Sequence, residues 1–530
     1  MVKLSTDLSS TNLQLLAGGV IVAILVLDYL RYKKGKLHLK GPTPYPIFGN
    51  LPQMGKDAAL TFHKWSKTYG DVFKVIMGER EVMIINTAQA AKELFSDQGG
   101  VYIDRPQFHN FHTVLSSSAG TTIGTSPWDE SCKRRRKAAA TALNKANVQE
   151  YIPIVDRETL ALIEDLYVQG KGGKIELDPH QYMARFALNT SLGVNYGMRL
   201  DSIGDDLLEE IITVEQGVSN VRSTTSSWSD YVPLLRKLPT GNKGVENAKS
   251  FRDRRDQYMN MLLQDLKDRI AKGTDVPCIT GAILKDPEAK LTPIELSSIC
   301  LSMVSAGLDT LGNTMLWGVG YLAKRPDIWE KAYEEVNNVY GGSVPDATEE
   351  ASGYISGLYR ECARYFSVLK LSLPRATITD SVYHGVKIPA GTTVFFNAWA
   401  IHHDEARYGD VANFRPERHV LEKEDAVHQP HYSFGIGRRM CVGVHLANRE
   451  MYSAFAKLVY FFKLEPGEED YDINPETACK NTYSLAATPK PFKMRFVPRD
   501  PDTIEQWIQD EKSRNDLKIA SSISKKTPAA

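Results

Sequence analysis

A cysteine between a glycine-containing loop and a long helical pattern constrains this chain more than any other feature. Residues 434–443 read FGIGRRMCVG, and an apolar helical periodicity follows over residues 444–462. Cys441 is therefore expected at a helix N-terminus, where unpaired backbone N–H groups and the positive end of the helix dipole stabilise a thiolate. Because the thiolate is the form of cysteine that binds metals, the sequence predicts a metal-binding cysteine.

Other interpretations of this loop stay open at this point. Cys441 could be a buried free thiol, and the loop glycines could bind a nucleotide, although Met440 stands where the third glycine of GxGxxG belongs. A zinc site would need ligands beyond His445. The six cysteines include no CxxC pair and are too dilute for a disulfide scaffold, which indicates a reducing compartment.

The composition narrows the class of protein. Of the 530 residues, 42% are hydrophobic and 24% are charged, which is typical of a globular chain and excludes collagen-like, disordered and polytopic membrane proteins. Lysine plus arginine and aspartate plus glutamate both number 64, so the net charge gives no reason to expect a nucleic-acid partner. Any partner has to be inferred from local patches.

The N-terminal region predicts a membrane anchor. Residues 13–30 are apolar apart from Gln14 and Asp28, and a helix of this length spans roughly 27 Å, about the hydrocarbon thickness of a bilayer. Basic residues concentrate after this segment, which places the following chain in the cytosol. A cleaved signal peptide and a buried helix are the competing interpretations. The alternating prolines of residues 41–46 then favour an extended spacer.

Patterns beyond the spacer predict a mainly α fold with small β-sheets (α+β) in one large domain. Two hairpins are expected, one from residues 72–77 with 81–85 and one from residues 386–388 with 392–396. The C-terminal tail is charged and is expected to form a surface helix or to be disordered. The predicted order is a short luminal N-terminus, a transmembrane signal anchor, a basic and proline-rich linker, the globular domain and the tail, over residues 1–12, 13–30, 31–50, 51–498 and 499–530.

A long helix is predicted in the middle of the domain. Thr292 and Glu295 form a capping box around Pro293, and apolar periodicity continues to Pro326, which gives about 31 residues or roughly 46 Å. Halfway along, the run AGLDT at residues 306–310 interrupts the apolar face. On its own this run is explained by a threonine bonded to the carbonyl four residues earlier and an aspartate that faces solvent.

Taken together, these segments resemble the cytochrome P450 monooxygenases. The loop matches the family's FxxGxRxCxG signature at Phe434, Gly437, Arg439, Cys441 and Gly443. The resemblance implies a b-type haem with Cys441 as the axial ligand of its iron and with Arg439 at one haem propionate. Thiolate ligation of this kind favours cleavage of the O–O bond.

The run in the long helix resembles the family's A/G-G-x-D/E-T segment, which lies over the distal face of the haem. The resemblance implies that Ala306 and Gly307 line this face and that Gly307 leaves room for dioxygen. It also implies catalytic roles for Thr310, which would hydrogen-bond to oxygen, and for Asp309, which would relay protons from solvent.

Three further residues resemble the family's structural cluster, and one resembles a haem contact. Glu361 and Arg364 match the ExxR motif, and Arg418 supplies a second arginine, so the resemblance gives these three residues structural roles beneath the haem loop. Arg375 lies in a segment similar to the one that binds the other propionate. His419 stands where the family usually has phenylalanine.

The family's WxxxR motif is matched least well. Trp128 is present, but Cys132 occupies the arginine position. Arg135, seven residues after the tryptophan, lies on the same helical face and is the expected substitute as a haem contact. The basic run at residues 133–137 could also attract an acidic electron donor.

The family resemblance implies a monooxygenase that uses dioxygen and NADPH-derived electrons. No flavin or ferredoxin domain is expected in this chain, so a separate NADPH-cytochrome P450 reductase should supply the electrons. The anchor then implies a single-pass protein of the endoplasmic reticulum membrane with its catalytic domain in the cytosol. A closer resemblance, through residues 124–140 and 432–441, is to the fungal phenylacetate 2-hydroxylases, which implies ortho-hydroxylation of phenylacetate towards homogentisate.

A carboxylate substrate would need a cation or several hydrogen-bond donors in its pocket. Arg105, His109 and His112 are the candidate substrate contacts, with the alternative that Arg105 is a haem or surface contact and both histidines are loop residues. A hydroxylase of hydroxyphenylacetate, a fatty acid or a secondary-metabolite intermediate is an alternative function. A haem-binding protein without turnover is an alternative of another class.

Overall fold

The computed structural model describes residues 34–420, except 287, 289 and 347, and residues 431–524, together with a few helical positions between 14 and 32. The predicted luminal N-terminus, 1–12, lies outside the described residues, and so does the predicted anchor, 13–30, apart from those few positions. The described chain is mainly helical with small sheets, as the sequence predicts.

Helices form most of the domain. The α-helices are α1 Ala58–Tyr69, α2 Ala88–Ala91, α3 Glu130–Ala142, α4 Lys145–Val148, α5 Ile152–Gln169, α6 Pro179–Tyr196, α7 Asp206–Arg222, α8 Pro239–Lys272, α9 Ile279–Lys285, α10 Pro293–Gly307, α11 Asn313–Leu322, α12 Pro326–Val339, α13 Gly353–Phe366, α14 Ala398–His402, α15 Glu405–Tyr408, α16 Val444–Phe461 and α17 Pro501–Ser524. Wider π-helical turns cover Lys92–Asp97, His109–Leu115 and Leu308–Gly312. Single 3-10 turns cover Leu51–Met54, Gln149–Tyr151, Trp228–Asp230, Pro233–Lys237, Pro416–His419, Tyr432–Phe434 and Gly437–Arg439.

The strands form one four-stranded sheet and two two-stranded sheets. They are β1 Val72–Met77, β2 Arg80–Ile85, β3 Arg375–Ala376, β4 Ser381–Tyr383, β5 Val386–Ile388, β6 Thr393–Phe396, β7 Phe462–Pro466 and β8 Met494–Pro498. The larger sheet has the order β1-β2-β6-β3. Its β1–β2 pair is the first predicted hairpin, with Val75 opposite Val82, while β6 joins β2 in parallel. The sheet therefore connects distant parts of the sequence.

The second predicted hairpin is wrong. β5 pairs with β4, and β6 belongs to the larger sheet. His384 and Gly385 have positive φ angles of 45° and 80°, the geometry of a two-residue turn whose twist suits a hairpin. The prediction failed because the Pro-Ala-Gly segment at residues 389–391 gave a turn signal without indicating which strands pair across it.

The predicted long helix is present. It runs from Pro293 to Leu322 through α10, the π turn Leu308–Gly312 and α11, and the capping box between Thr292 and Glu295 is formed. Among the described residues this helix is the one long and apolar enough to cross a membrane, but 67% of its most apolar window is buried inside the protein. It is the central helix of the core.

Both ends of the predicted domain pack more closely than expected. Leu37 is 1% exposed, and the carbonyl of Lys40 accepts a hydrogen bond of 2.8 Å from the backbone of β1, so the linker joins the globular body. At the other end Ile504 is fully buried, and Trp507 lies 4.7 Å from the ring of Phe461 on α16. The apolar residues of the charged tail thus dock α17 onto the core.

Candidate functional site

The loop that carries Cys441 is held in one conformation by a glycine. Gly437 has a φ angle of 67°, and a Cβ at this position would lie 2.0 Å from the carbonyl oxygen of Phe95. No residue other than glycine fits so close to another backbone. The backbone N–H of Cys441 then donates to the carbonyl of Phe434 at 2.9 Å, which turns the chain towards α16.

The thiol of Cys441 faces an internal space. The side chain of Cys441 is exposed. Surrounding protein nevertheless raises the pKa of its thiol through burial, so the sulfur is accessible but lies among protein atoms. The N–H of Gly443 and the charge of Arg136 act in the opposite direction and do not outweigh burial. The expected thiolate therefore needs a bound cation in addition to the helix N-terminus.

The side chains around Cys441 restrict which metal the cysteine could bind. Within the described residues, no group of three or more His, Cys, Asp or Glu side chains could hold a metal ion. A zinc site is therefore not supported in this part of the chain, because structural zinc needs four protein ligands and catalytic zinc three. A metal at Cys441 needs its remaining ligands from a prosthetic group.

The Cys441 loop packs against the middle of the long helix. Val442 lies in the same two hydrophobic clusters as Met303 of α10. Three residues further along the helix, Ala306 is exposed although Val304, Ser305 and Leu308 around it are buried. The loop and the central helix thus each present an accessible residue inside the core.

Buried arginines surround this site. Arg105, Arg375 and Arg439 are each less than 7% exposed. Burial lowers the pKa of all three guanidinium groups, to about 9 for Arg375 and about 10 for Arg439. Neighbouring positive charges act in the same direction, Arg439 on Arg105 and Arg375, and Arg136 on all three. Nη1 of Arg375 and Nε of Arg439 are buried without a hydrogen-bond partner. Asp104 is the carboxylate that offsets part of the charge at Arg439.

The arginine set fits the haem that the family resemblance implies. Isolated buried cations are costly unless they are paired, and these guanidinium groups lack sufficient anions. A haem carries two propionate carboxylates, which pair well with guanidinium groups. The unpartnered nitrogens of Arg375 and Arg439 and the accessible thiol of Cys441 are together the groups that such a ligand would satisfy.

The neighbouring residues Arg135, the expected haem contact, and Arg136 make different contacts. Arg135 is buried, and its Nη1 donates to Ser126 at 2.9 Å and to the hydroxyl of Ser298 on α10. Arg136 instead donates to the carbonyl of Met440 at 2.9 Å and acts electrostatically on Arg105, Arg375 and Cys441. Arg136 is therefore the basic residue of α3 that contacts the Cys441 loop. Arg135 instead connects α3 to the central helix through its hydrogen bond to Ser298.

Trp128 and Cys132 pack around Arg439. The guanidinium of Arg439 lies 5.7 Å from the centre of the Trp128 ring and 3.7 Å from the Cys132 sulfur. The same guanidinium donates to the backbone carbonyls of Ile103, Ile123, Gly124 and Ser126. Cys132 thus occupies space beside this arginine where the family motif has a further cation.

Thr310 and Asp309 lie on the widened turn of the central helix. The hydroxyl of Thr310 donates to the carbonyl of Ala306 at 2.7 Å, which is the bond to the preceding turn that the sequence allows for. Asp309 does not face solvent, because it is 5% exposed and pairs with Arg222 of α7 at 2.8 Å. The interpretation of Asp309 as a solvent-facing residue is wrong.

Burial raises the pKa of Asp309 to about 7, even though the charge of Arg222 acts against this rise. The carboxylate of Glu215, also on α7, raises it further. Glu215 is fully buried and accepts hydrogen bonds from the hydroxyls of Ser305 and Tyr258. Neither Arg222 nor Glu215 could be identified from local sequence patterns, since their contacts with the central helix cross about ninety residues of chain.

Gly307 has a packing role that the sequence did not indicate. A Cβ at Gly307 would lie 2.3 Å from the hydroxyl oxygen of Ser191 on α6. The missing side chain therefore allows two helices to pack closely, and its expected role in leaving room for dioxygen stays a prediction. Ala306, which is accessible, is the better candidate for lining the distal face.

Glu361 and Arg364 of α13 form the centre of a buried cluster. Both are 0% exposed, and two hydrogen bonds of 2.7 and 2.8 Å join them. Nε of Arg418 adds a contact of 3.2 Å to the carboxylate, and Nε2 of His419 adds one of 2.9 Å. Burial opposes ionisation of Glu361, yet the bonds from Arg364 and His419 outweigh it and hold the pKa at about 2.

The cluster is tied to the loop before Cys441. Nε2 of His431 lies 2.9 Å from the carbonyl of Arg360, and the hydroxyl of Ser433 donates to the carbonyl of Ala363 at 2.9 Å. The rings of His419 and His431 lie 5.8 Å apart. His419 thus places a hydrogen-bonding ring where the family usually has phenylalanine. The sequence shows this replacement, but only the structure shows that its partner is Glu361.

The three candidate substrate contacts lie in different surroundings. Arg105 donates to the carbonyls of Gly124, Leu373 and Pro374 and belongs with the buried arginines. His112 accepts from the backbone N–H of Phe108 at 2.9 Å and lies 3.3 Å from the carbonyl of Thr125, so both ring nitrogens have backbone partners. His109 is partly exposed near Asp230 and Arg236. The structure does not bring these three residues together.

The Glu361→Gln substitution should destabilise the protein strongly. It removes the negative charge that Arg364 and Arg418 share, and an unpaired buried charge costs about 3–5 kcal/mol. The free energy of unfolding, measured with denaturant, should fall by that amount, and haem content should fall with it. The matched control is Glu130→Gln, which breaks the exposed pair with Lys133 and should cost less than about 1 kcal/mol. Equal effects of the two substitutions would refute the assigned role of the cluster.

Comparison with known proteins identifies the family. The cytochrome P450 family matches residues 39–496. Phenylacetate 2-hydroxylase of Emericella nidulans is 47% identical over 482 residues, which cover 88% of this chain and 92% of that protein. A 3-hydroxyphenylacetate 6-hydroxylase of the same organism is 42% identical, covering 91% and 92%, and a cytochrome P450 monooxygenase of Mycosarcoma maydis is 44% identical, covering 93% of each chain. The chain belongs to the cytochrome P450 family of haem-thiolate monooxygenases.

Proposed function

We propose that this monooxygenase hydroxylates the ring of a small aromatic acid, with phenylacetate and its ortho position as the substrate and site of attack. The single observation that carries the reaction class is the accessible Cys441 thiol amid buried, under-compensated arginines. The substrate proposal is supported by two relatives, which are named as hydroxylases of phenylacetate and of 3-hydroxyphenylacetate. The latter compound is the second candidate substrate.

Bound haem supplies the iron at which dioxygen is activated. Cys441 Sγ would bind its iron, and Arg375 and Arg439 would hold its propionates with Arg105 nearby. The loop is fixed before the group binds, since Gly437 fits closely against Phe95. The protein therefore provides orientation and charge, while the redox chemistry comes from the group.

Asp309 and Thr310 are suited to moving a proton along the widened turn of the central helix. With its pKa near 7, the Asp309 carboxyl both gains and loses a proton close to neutral pH, which is the property required of a general acid. A small cavity lined by His180, Gln216 and Asp309 leaves space for water beside the carboxyl. The Thr310 hydroxyl, with its acceptor partner Ala306 one turn earlier, can pass the proton on.

Electrons come from a redox partner in enzymes of this family, and we propose NADPH-cytochrome P450 reductase for this one. The exposed Lys133, Arg134 and Lys137 of α3 lie beside Arg136, whose side chain contacts the Cys441 loop. Such a basic surface favours an acidic donor. We also propose that residues 13–30 anchor the enzyme in the endoplasmic reticulum membrane with the domain in the cytosol; recovery of the full chain in the soluble fraction of lysed cells would refute the anchor.

Turnover of an aryl-acid panel tests the substrate. The full-length enzyme, reconstituted with reductase and NADPH, should convert phenylacetate to 2-hydroxyphenylacetate with a higher kcat/KM than 3-hydroxyphenylacetate or a medium-chain fatty acid. The product position should be read by chromatography against the three hydroxyphenylacetate isomers. Preferred turnover of a fatty acid, or a product hydroxylated elsewhere, would show that the substrate proposal is wrong.

The Asp309→Asn substitution should uncouple the reaction and remove its pH dependence. Below about pH 7 the carboxyl is protonated and can donate, so in the unaltered enzyme the ratio of product formed to NADPH consumed should fall as the pH rises through 7. The variant has no titrating group at this position, and its product rate should be lower on the order of 10²-fold at every pH.

The control for this experiment is Asp253→Asn, because that carboxylate is 66% exposed on α8. An unchanged carbon monoxide difference spectrum in the Asp309 variant would show that the loss of activity is not caused by misfolding or by loss of haem. A variant that retained both the coupling ratio and its pH profile would eliminate Asp309 from proton delivery.

A further inference from the structure

Asp309 needs a connection to solvent if it delivers protons. Inserting one atom of dioxygen into a substrate and releasing the other as water consumes two electrons and two protons in every turnover. Asp309 is 5% exposed, and its ion-pair partner Arg222 carries a guanidinium, which does not give up its protons in proteins. The carboxyl can therefore act repeatedly only if a further group brings protons to it.

The small cavity beside Asp309 has His180 in its wall. This inner cavity, which Gln216 and Gly312 also line, has a volume of about 20 Å³. A volume of about 10–15 Å³ is enough for one water molecule. Because the space is so small, a water molecule in it can lie close to both His180 and Asp309.

His180 also lines a second cavity, which reaches the surface. This outer cavity has a volume of about 90 Å³, enough for several water molecules, and it lies between the start of α6 and the segment at residues 480–492. Lys480 and Lys490 in its wall are exposed, so the cavity is in contact with solvent. Among the described residues, His180 is the one that lines both cavities. It therefore stands between solvent and the space beside Asp309.

Two helices hold His180 in this place. Its backbone N–H donates to Oδ1 of Asp178 at 2.9 Å, in the first turn of α6. Nε2 of its ring lies 3.2 Å from the side-chain nitrogen of Gln216 on α7. Gln216 lines the inner cavity, so the ring is fixed at the wall of that cavity.

The groups around His180 favour a neutral imidazole that passes protons on. Burial lowers the pKa of His180 from its ordinary value of 6.5; Asp178 acts to raise this pKa and Lys480 to lower it. Asp309 lies across the inner cavity, and Lys490 lies in the wall of the outer one. Because the pKa of Asp309 is about 7, a proton moves favourably from the ring to that carboxylate. A neutral imidazole has one nitrogen that accepts a proton and one that can release its own.

We infer that His180 is the relay through which protons from solvent reach Asp309. A protonated water or buffer acid in the outer cavity gives a proton to one ring nitrogen, and the other ring nitrogen gives its proton to water in the inner cavity. That water protonates the Asp309 carboxylate, so one proton enters, only N–H and O–H bonds form and break, and further exchange restores the first tautomer. The inference rests on the proposed proton-delivery role of Asp309 and adds the path that supplies it.

The substitution His180→Gln tests the relay in the haem-loaded, full-length enzyme with reductase. Glutamine keeps a polar amide beside Gln216 but does not take up a proton. Product formation with NADPH should fall about tenfold, because the proton path loses its acid–base group, and the kinetic isotope effect of D2O on product formation should rise. Hydrogen peroxide is dioxygen that already carries the two electrons and two protons, so product formation from peroxide without NADPH should not change.

A second measurement needs no turnover. Below pH 7 the Asp309 carboxyl is protonated, and its infrared C=O band shifts when deuterium replaces the proton after transfer into D2O. The band is identified by its loss in the Asp309→Asn variant. Its exchange in the resting enzyme should be several-fold slower after His180→Gln than before.

Two further variants control for structure. His38→Gln replaces an exposed histidine of the linker and should leave the NADPH-supported rate and the carboxyl exchange unchanged. Gln216→Leu makes the wall of the inner cavity apolar and should slow the carboxyl exchange as His180→Gln does. The carbon monoxide difference spectrum of each variant should equal that of the unaltered enzyme. Equal losses of NADPH-supported and peroxide-supported product formation in His180→Gln, or carboxyl exchange at the original rate, would overturn the inference.

Failure of the proposed function is distinguishable from failure of this relay. If Asp309→Asn leaves the coupling ratio and its pH profile unchanged, the proposed role of Asp309 in turnover is wrong. The carboxyl exchange in the resting enzyme still decides whether His180 connects Asp309 to solvent. None of these measurements depends on which position of the substrate is hydroxylated.

Discussion

The Cys441 thiol, which needs a cation nearby to ionise, lies close to buried arginines that need anions. The thiol of Cys441 is surrounded by protein, and burial raises its pKa, so it cannot become a stable thiolate without a cation beside it. Arg375 and Arg439 are buried with too few carboxylates, and each keeps a nitrogen without a partner. A single ligand that carries a metal cation and two carboxylates satisfies both requirements, and a b-type haem is such a ligand.

The rest of the architecture keeps these groups in place. Gly437 allows the Cys441 loop to approach Phe95 at a distance that excludes any side chain. Beneath the loop, Glu361 and its cationic partners form a buried ion cluster, which fixes geometry more than it adds stability. The central helix completes the site with a widened turn, whose threonine and aspartate lie next to an accessible alanine. The site is rigid on the cysteine side and polar on the helix side.

Residues that lie close together in the chain are the part of the site that the sequence indicates. The Cys441 loop, the Asp309–Thr310 pair and the Glu361–Arg364 pair were recognised through local motifs that resemble those of the family. The structure buries Asp309, Glu361 and Arg364 and leaves Cys441 accessible. Contacts between distant segments were not predictable. Arg222 approaches Asp309 across 87 residues, and nothing in either local pattern indicates the other.

What the sequence did not indicate has specific physical causes. The predicted hairpin at residues 386–396 failed because a turn signal identifies a change of direction, while β6 pairs in parallel with a strand about three hundred residues earlier. Helical periodicity, which led to Arg135, gives a face of the helix but not the neighbours of that face, so it did not indicate that Arg136 contacts the Cys441 loop. The close approach of Gly307 to Ser191 is likewise not encoded in a local motif.

The sulfur ligand of the iron is tested most directly by the absorption spectrum of the reduced, carbon monoxide-bound enzyme. We expect a Soret band shifted far to the red of that seen in nitrogen-ligated haem proteins, and we expect the Cys441→Ser substitution to abolish this shift. A fully haem-loaded, folded enzyme whose Soret band lacks the red shift, or a Cys441→Ser variant that retains it, would contradict the assignment of Cys441 as the ligand.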